Sequence, residues 1–324
     1  MPCAEDFAFW LRAIASSELL PVTYYHLVFT LPQPVAVLAF YNQRTVYDIL
    51  FRTSAQTLLT IGRDGRHLGA QLGFFSVLHT WGQNLLYHPH VHCVAAGGGP
   101  SSDGRRWVAC RPGFFLPVRV LSRLFRRLFL EALQRAFTTG RLRFLPAIRA
   151  LQSRAIFQDW VHALNKTEWV VYAKAPVGGP QQVLEYLGRY THRVAIANER
   201  LLHADDQQVS FRWKDYRHPQ RPKTMTLSGS EFLRRFLLHI LPPGFPRIRH
   251  YGWLANRRRR ENLALCRALL RAPVCELLPE AAGQDPVRLL EFLTGRDLRV
   301  CPMCGIGHME IIERLPPVPW LDSS

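Results

Sequence analysis

Several things are scarce in this chain of 324 residues. No apolar run approaches the roughly 18 residues that a membrane-spanning helix needs, because Pro, Arg or His interrupts each one. Met1-Pro-Cys-Ala-Glu-Asp6 carries no basic n-region, so a secretory leader is not expected and the chain reads as soluble and intracellular. Cysteine is sparse and odd in number: seven residues, at positions 3, 93, 110, 266, 275, 301 and 304. That argues against a disulfide framework and for reduced thiols with at most one metal site. No Gly-x-x-x-x-Gly-Lys run is present, which excludes the usual phosphate-cradling loop and a nucleotide cofactor bound there.

Acids and lysines are also few. Against 41 basic residues stand 24 acidic ones, a net charge of +17 with a pI near 10.2. Only four of the cations are lysines (Lys166, Lys174, Lys214, Lys223); the rest are arginines. A GC-rich genome would account for Arg replacing Lys, but not for the surplus over acids. Arginine grips phosphate with two parallel hydrogen bonds, so the surplus points to a polyanionic partner, most simply nucleic acid. Apolar residues make up 48% of the chain, enough to bury a core and to exclude a mostly disordered protein.

Aromatic and β-branched residues over 24–30 predict a strand that stops at Leu31-Pro32. From Pro34 to about Ile61 the apolar spacing is helical, with Gly62 as its stop. Strands are expected at 73–81 and 90–96, joined closely enough to be antiparallel neighbours, then a helix over 118–137 closed by Gly140. Trp169 to Lys174 reads as a strand, Gly178-Gly179-Pro180 as a helix start, 194–204 and 209–216 as strands, and 230–240 as a helix capped by Ser228 or Ser230. Strands and helices mix without βαβ alternation. The fold class is therefore α+β, a central antiparallel sheet flanked by helices, with an Arg-rich helical C-terminal region after Pro242-Pro243. The expected division is 1–19, a divergent N-terminal segment; 20–242, the main domain; and 243–324, a basic helical region with a Cys-containing tail.

Chemistry concentrates in two places. In His88-Pro-His-Val-His92, residues i and i+2 of a strand share a face, so His90 and His92 project together and Val91 opposes them. Two imidazoles on one face are half of a divalent-metal site, although an isolated His-x-His pair is more often plain surface or core. Further on comes Glu185-Tyr-Leu-Gly-Arg-Tyr-Thr-His-Arg193. On a helix Tyr186 and Tyr190 share a face. Two core tyrosines would be the ordinary explanation, but Gly188 between them costs a structural helix about 1 kcal/mol, and Arg189, His192 and Arg193 crowd the same segment. A phenol with cationic neighbours and a nearby metal is what attack on a phosphodiester requires.

These motifs, taken with Leu78-His-Thr-Trp-Gly-Gln83, Arg111-Pro-Gly-Phe-Phe-Leu-Pro117, Phe211-Arg-Trp-Lys-Asp-Tyr216 and Arg247-Ile-Arg-His-Tyr-Gly-Trp253, resemble the HUH endonuclease superfamily, in particular the two-tyrosine rolling-circle transposases of bacterial insertion sequences. The resemblance runs from about Leu20 to Arg260. It implies an HUH endonuclease-like fold in which His90 and His92 hold Mg²⁺ or Mn²⁺, with Gln83, on the adjoining strand, as third ligand and His79 and His88 as runners-up. It implies that Tyr186 and Tyr190 are alternate nucleophiles forming 5′-phosphotyrosine, with Lys214 contacting the scissile or leaving group. The partner would be DNA, mainly single-stranded, in a bacterial cytoplasm and close to the nucleoid. Such transposases usually begin with a cysteine-rich zinc-binding segment, and here only Cys3 precedes the first strand. A replication initiator or relaxase would share the chemistry, and an inactive DNA-binding remnant would share the motifs.

Between Arg105 and Arg149 lie eleven arginines and one acid, Glu131. Arg119, Arg123, Arg126 and Arg127 fall in one helical stripe, read as a phosphate track rather than a merely solvated face. Arg257 and Arg258, like Arg189 and Arg193, are expected to contact the DNA backbone. Trp213, Tyr216 and Trp253 could stack bases, although burial is the commoner use of such rings. Cys301-Pro-Met-Cys304, with His308, resembles one rim of a Zn²⁺ site.

Overall fold

A computed structural model of the protein describes residues 19–173, 195–214, 222–272, 300, 301, 304 and 306–308. The sequence readings at Tyr186, Gly188, Arg189, Tyr190, Arg193 and Tyr216 lie outside the described residues. Among the described residues no helix is long and apolar enough to cross a membrane.

The first strand, β1 (Tyr24–Thr30), leads through Pro32 into two helices, α1 (Gln33–Tyr41) and α2 (Gln43–Arg63). A hairpin follows, β2 (Gly73–Trp81) and β3 (Tyr87–Ala96), then the short pair β4 (Gly98–Pro100) and β5 (Trp107–Ala109). Helices α3 (Val118–Thr138) and α4 (Arg154–Lys166) precede β6 (Val171–Ala173). After it come β7 (Leu201–Ala204), β8 (Gln208–Lys214), β9 (Pro222–Ser228) and α5 (Gly229–Leu237), and the fold closes with β10 (Ile248–Gly252) and α6 (Arg259–Leu270). The main sheet has the order β10-β2-β3-β1-β6, each neighbouring pair antiparallel. The α+β class and the central antiparallel sheet are as expected from the sequence.

Strand alternation divides the labour of this sheet. Leu27 and Phe29 of β1, Phe74 and Leu78 of β2, and Val91 and Cys93 of β3 point to one face, where α1 to α4 cover them in a single large core. The other face is apolar at one end, where Tyr24, Phe75, Val77 and Val94 pack under Trp253, Leu254 and Leu263. At its other end it carries histidines.

Where the structure departs from the sequence reading, the causes are local. The helix expected from 34 to 61 is two helices, because Asn42 leaves the helical region (φ −135°, ψ 39°). Its side chain compensates by donating to the Leu38 and Arg143 carbonyls and accepting from the Arg143 N–H, a side-chain alternative to the helical ladder. Gly62 is not the stop; it lies inside α2, pressed against Leu72. The strand expected over 194–204 is regular only from Leu201, after a 3₁₀ turn at Asn198–Arg200. The stretch after Pro242-Pro243 is not helical throughout: its first regular element is β10, which forms the edge of the main sheet beside β2. Ser228 caps α5 as expected, accepting from the Glu231 N–H.

A second sheet, β7-β8-β9, packs Phe211 with α5's Phe232 and Phe236 against Leu85. Leu85 sits at the tip of the β2–β3 hairpin with a left-handed φ of 61°, a conformation that costs an L-residue roughly 1 kcal/mol. Three consecutive carbonyls of that tip are held from outside the hairpin. Arg200 donates to Gln83 (2.6 Å), Arg235 to Asn84 (3.1 Å) and His239 to Leu85 (3.1 Å).

His239 is buried, with its Nδ1 3.2 Å from the Thr80 hydroxyl, and burial holds its pKa down at about 4. A histidine kept neutral in the fold and near 6.5 when unfolded favours the unfolded state as acid is added. Stability should therefore be flat above pH 6.5 and fall by up to about 3 kcal/mol as the pH drops toward 4. Urea midpoints at pH 7 and pH 5 test this, and His239→Gln, which keeps a donor for Leu85, should show a smaller decline. Gly252 offers a second test. Its φ is +64°, and a Cβ there would run into the Leu72 carbonyl oxygen at the β10–β2 edge. Gly252→Ala should cost on the order of 2–4 kcal/mol, read as a lowered thermal midpoint.

Candidate metal centre

The histidine end of the open face is built from three strands. In the β2–β3 register His79 stands directly opposite His90, and Val77 opposite His92; on the other side β1 places Thr30 opposite His90 and Val28 opposite His92. Because β3 is the middle strand of five, its side chains are flanked on both sides. One nitrogen each of His79, His90 and His92 lies within 4.8 Å of the others, and among the described residues this is the one group of three such donors close enough to hold a metal ion. The ring centroids are 5.5 Å apart for His79–His90, 4.2 Å for His79–His92 and 4.8 Å for His90–His92.

The hydrogen bonds suit this geometry to a cation. His90 Nδ1 lies 2.6 Å from the His88 carbonyl oxygen and can only donate to it, which leaves Nε2 as the lone-pair atom. His92 Nδ1 lies 2.7 Å from Nε2 of His26, a buried residue of β1. If His92 donates there, its Nε2 also carries a lone pair, the arrangement by which an outer residue fixes the tautomer of a metal-ligating imidazole. Burial pushes His90 down to about 4, so at neutral pH it is uncharged and able to ligate. Three imidazoles fit a divalent ion, and as nitrogen donors they suit a transition ion better than Mg²⁺.

Of the expected ligands, His90 and His92 come together as read from their spacing, and the runner-up His79 joins them. Gln83 is not on the adjoining strand: β2 ends at Trp81, and Gln83 lies in the turn beyond it, its carbonyl bound by Arg200. His88 borders the group, its ring 5.5 Å from that of His90. His26 was missed. The signal was present, a histidine in a strand otherwise made of aromatic and β-branched or aliphatic residues, but its partnership with His92 depends on the β1–β3 register. Arg247 was seen only as part of a motif; its guanidinium lies 5.0 Å from the Trp81 ring, which in turn stacks on His79 at 4.7 Å.

The remaining expected residues are dispersed. Lys214 ends β8, exposed, opposite Pro222 of β9. On α3, Arg119, Arg123 and Arg127 form an exposed stripe; Arg127 is 3.9 Å from Glu131, and Arg126 donates to the Thr167 carbonyl. Arg257 and Arg258 are exposed just before α6, with Arg258 4.0 Å from Glu261. Trp253 is buried against Gly73 and is core, whereas Trp213 is half-buried with Lys223 over its ring. In the tail, described by itself, Val300 and His308 form a bridge that turns the chain back. The Gly307 N–H donates to Cys304 Sγ, and such backbone donors hold the Cys304 thiol below its usual pKa. Cys301, Cys304 and His308 do not form a converging group of three donors.

Comparison with known proteins identifies the family. The "Putative transposase" family model (Y2_Tnp) matches residues 73–262, a span that holds β2, β3 and β10, and this chain belongs to that family. It is 58% identical over 297 residues to "Putative transposase y4qJ" of Sinorhizobium fredii (strain NBRC 101917 / NGR234), covering 92% of this chain and 75% of that one. It is 29% identical over 253 residues to the "Transposase for insertion sequence element IS801" of Pseudomonas savastanoi pv. phaseolicola, covering 76% of this chain and 58% of that one. Among solved structures, the metal-bound conjugative relaxase TrwC in complex with oriT DNA aligns over 78% of this chain and 74% of its own, at 15% identity and a TM-score of 0.31.

The His26–His92 bond generates a prediction for the centre itself. His26→Ala leaves His92 free to take the wrong tautomer and should weaken Mn²⁺ binding by about 10–100-fold, as outer-residue substitutions at metal sites commonly do. Calorimetric titration of the two proteins with Mn²⁺ measures this, and equal affinities would remove His26 from the site.

Proposed function

We propose that this transposase-family chain cleaves and rejoins single-stranded DNA through a 5′-phosphotyrosine, the chemistry of rolling-circle transposition. The observation that carries the proposal is the convergence of His79 of β2 with His90 and His92 of the central strand β3. A divalent ion held there, Mn²⁺ more readily than Mg²⁺ given the nitrogen donors, would polarise the scissile phosphate. Tyr186 or Tyr190 supplies the nucleophile: the phenolic oxygen gives up its proton and bonds to phosphorus, the P–O3′ bond breaks, and the departing 3′-oxygen takes up a proton, so none is gained or lost overall. The bond energy stays in the phosphotyrosine, so rejoining needs no nucleotide.

The chain's own residues have separate tasks in this scheme. His88 and His26 keep His90 and His92 in ligating tautomers. Arg247, beside the Trp81 ring, adds positive charge close to the phosphate. Lys214 is assigned to the leaving group, and the exposed Arg119, Arg123 and Arg127, with Arg257 and Arg258, to the DNA backbone. Two tyrosines allow one 5′ end to stay bound while a second is cut, as strand transfer demands.

The test is a labelled single-stranded oligonucleotide incubated with the protein and Mn²⁺, then run on a denaturing gel. Tyr186→Phe and Tyr190→Phe should each retain some covalent adduct but lose coupled strand transfer, and the double variant should form none. Loss of only a hydroxyl keeps the packing nearly unchanged. An adduct that survives in the double variant would move the nucleophile elsewhere.

A further inference from the structure

Along the edge of the sheet an open groove of about 1140 Å³ runs between α2 and the edge strand β10. Arg249 and Tyr251 of β10 stand opposite Ser76 and Phe74, whose side chains point into the helix-covered core and away from His79, so the groove's arginines lie on the α2 side; Ile248 and His250, which alternate with them, complete the lining at the edge. The lining carries four arginines, Arg52, Arg63, Arg141 and Arg249, and one carboxylate, Asp48. Asp48 is already taken by Arg249, at 2.5 Å, whose guanidinium also lies over the Phe51 and Phe245 rings. Among the described residues no carboxylate pairs with Arg52, Arg63 or Arg141, and all three are exposed.

The cations are spaced along a rigid support. Arg52, Gln56 and Arg63 occupy one exposed face of α2, and the arginines at its ends are about 16 Å apart along the helix axis. The groove is poor in what a single strand needs. Its one aromatic ring apart from His250 belongs to Tyr251, which is stacked on Phe74 at 5.3 Å and so is not an open platform for bases. Arginine and amide groups without a stacking surface match a phosphate backbone whose bases are already paired.

We propose that this groove is a second DNA site that holds duplex by its phosphates, on the side of the sheet opposite the strand-cleaving centre. The inference rests on DNA being the partner, but not on the tyrosine chemistry. Its function is to grip paired DNA flanking the single strand presented to His79, His90 and His92, so that one molecule contacts both. The contacts are with the backbone, and the groove takes duplex of any sequence.

The experiment uses the full chain with EDTA present, so that no cleavage is involved. Fluorescence anisotropy measures binding of a 30-bp duplex and a 30-nucleotide single strand over a series of salt concentrations. Replacing Arg52, Arg63 and Arg141 with Gln should weaken duplex binding at least 10-fold at moderate salt. It should also flatten the slope of log K against log salt by about 2–3, near 0.9 for each phosphate that is no longer neutralised. Single-strand affinity should stay within about twofold, since the single strand binds on the other face. The triple Arg→Lys variant should keep most of the duplex binding, which separates loss of charge from loss of fold. Unchanged duplex affinity and slope in the Gln variant, an equal loss on both DNAs, or a wild-type chain that binds no duplex would each overturn the proposal. Failure to form a tyrosine adduct in a parallel Mn²⁺ reaction would count against the cleavage reading alone.

Discussion

Everything in this molecule is arranged about the alternation of one strand. Along β3, Val91 and Cys93 are driven into the helix-covered core, and because side chains on a strand alternate, His90 and His92 have no choice but to face the other way. The apolar residues supply the free energy and the imidazoles take the orientation that is left. A slip of one residue in the β2–β3 register would send the histidines into the core and the aliphatic residues to the open face, so the same packing that stabilises the fold fixes the geometry of the site. The flanking strands then complete it, β2 by setting His79 opposite His90 and β1 by bringing His26 to His92.

The placement also sets the electrical character of the centre. Burial makes His90 a poor proton acceptor, because a charge there would have to be desolvated. It is correspondingly a good lone-pair donor near neutrality. Beside it the Trp81 ring stacks on His79 on one hand and carries the Arg247 guanidinium on the other, so a cation is joined to the centre through an aromatic ring.

Much of this was legible in the sequence, for identifiable reasons. β1, β2 and β3 announce themselves through β-branched and aromatic runs bounded by Pro and Gly, and α3 through its apolar spacing. His90 and His92 follow from their period of two. What depended on register was not legible: His79 as a neighbour of His90, and His26 as a neighbour of His92. The break between α1 and α2 was hidden because Asn42 is held by Arg143, about a hundred residues away. β10 was hidden by its composition, since a half-buried edge strand carrying Arg249 and His250 lacks the continuous apolar run of an inner one.

The hairpin tip has a consequence for how this site can change over evolutionary time. Arg200, Arg235 and His239 hold the carbonyls of Gln83, Asn84 and Leu85, groups that every amino acid possesses. The side chain at 83 is therefore not part of the joint between the hairpin and the second sheet, whereas Asn84 Oδ1 accepts from the Leu86 N–H and shapes the tip itself. Residue 83 can be exchanged while the joint stays closed, and new chemistry could be tried a few residues from the histidines without disturbing their alignment. The freedom ends at Leu85, whose buried side chain and left-handed backbone belong to the joint itself.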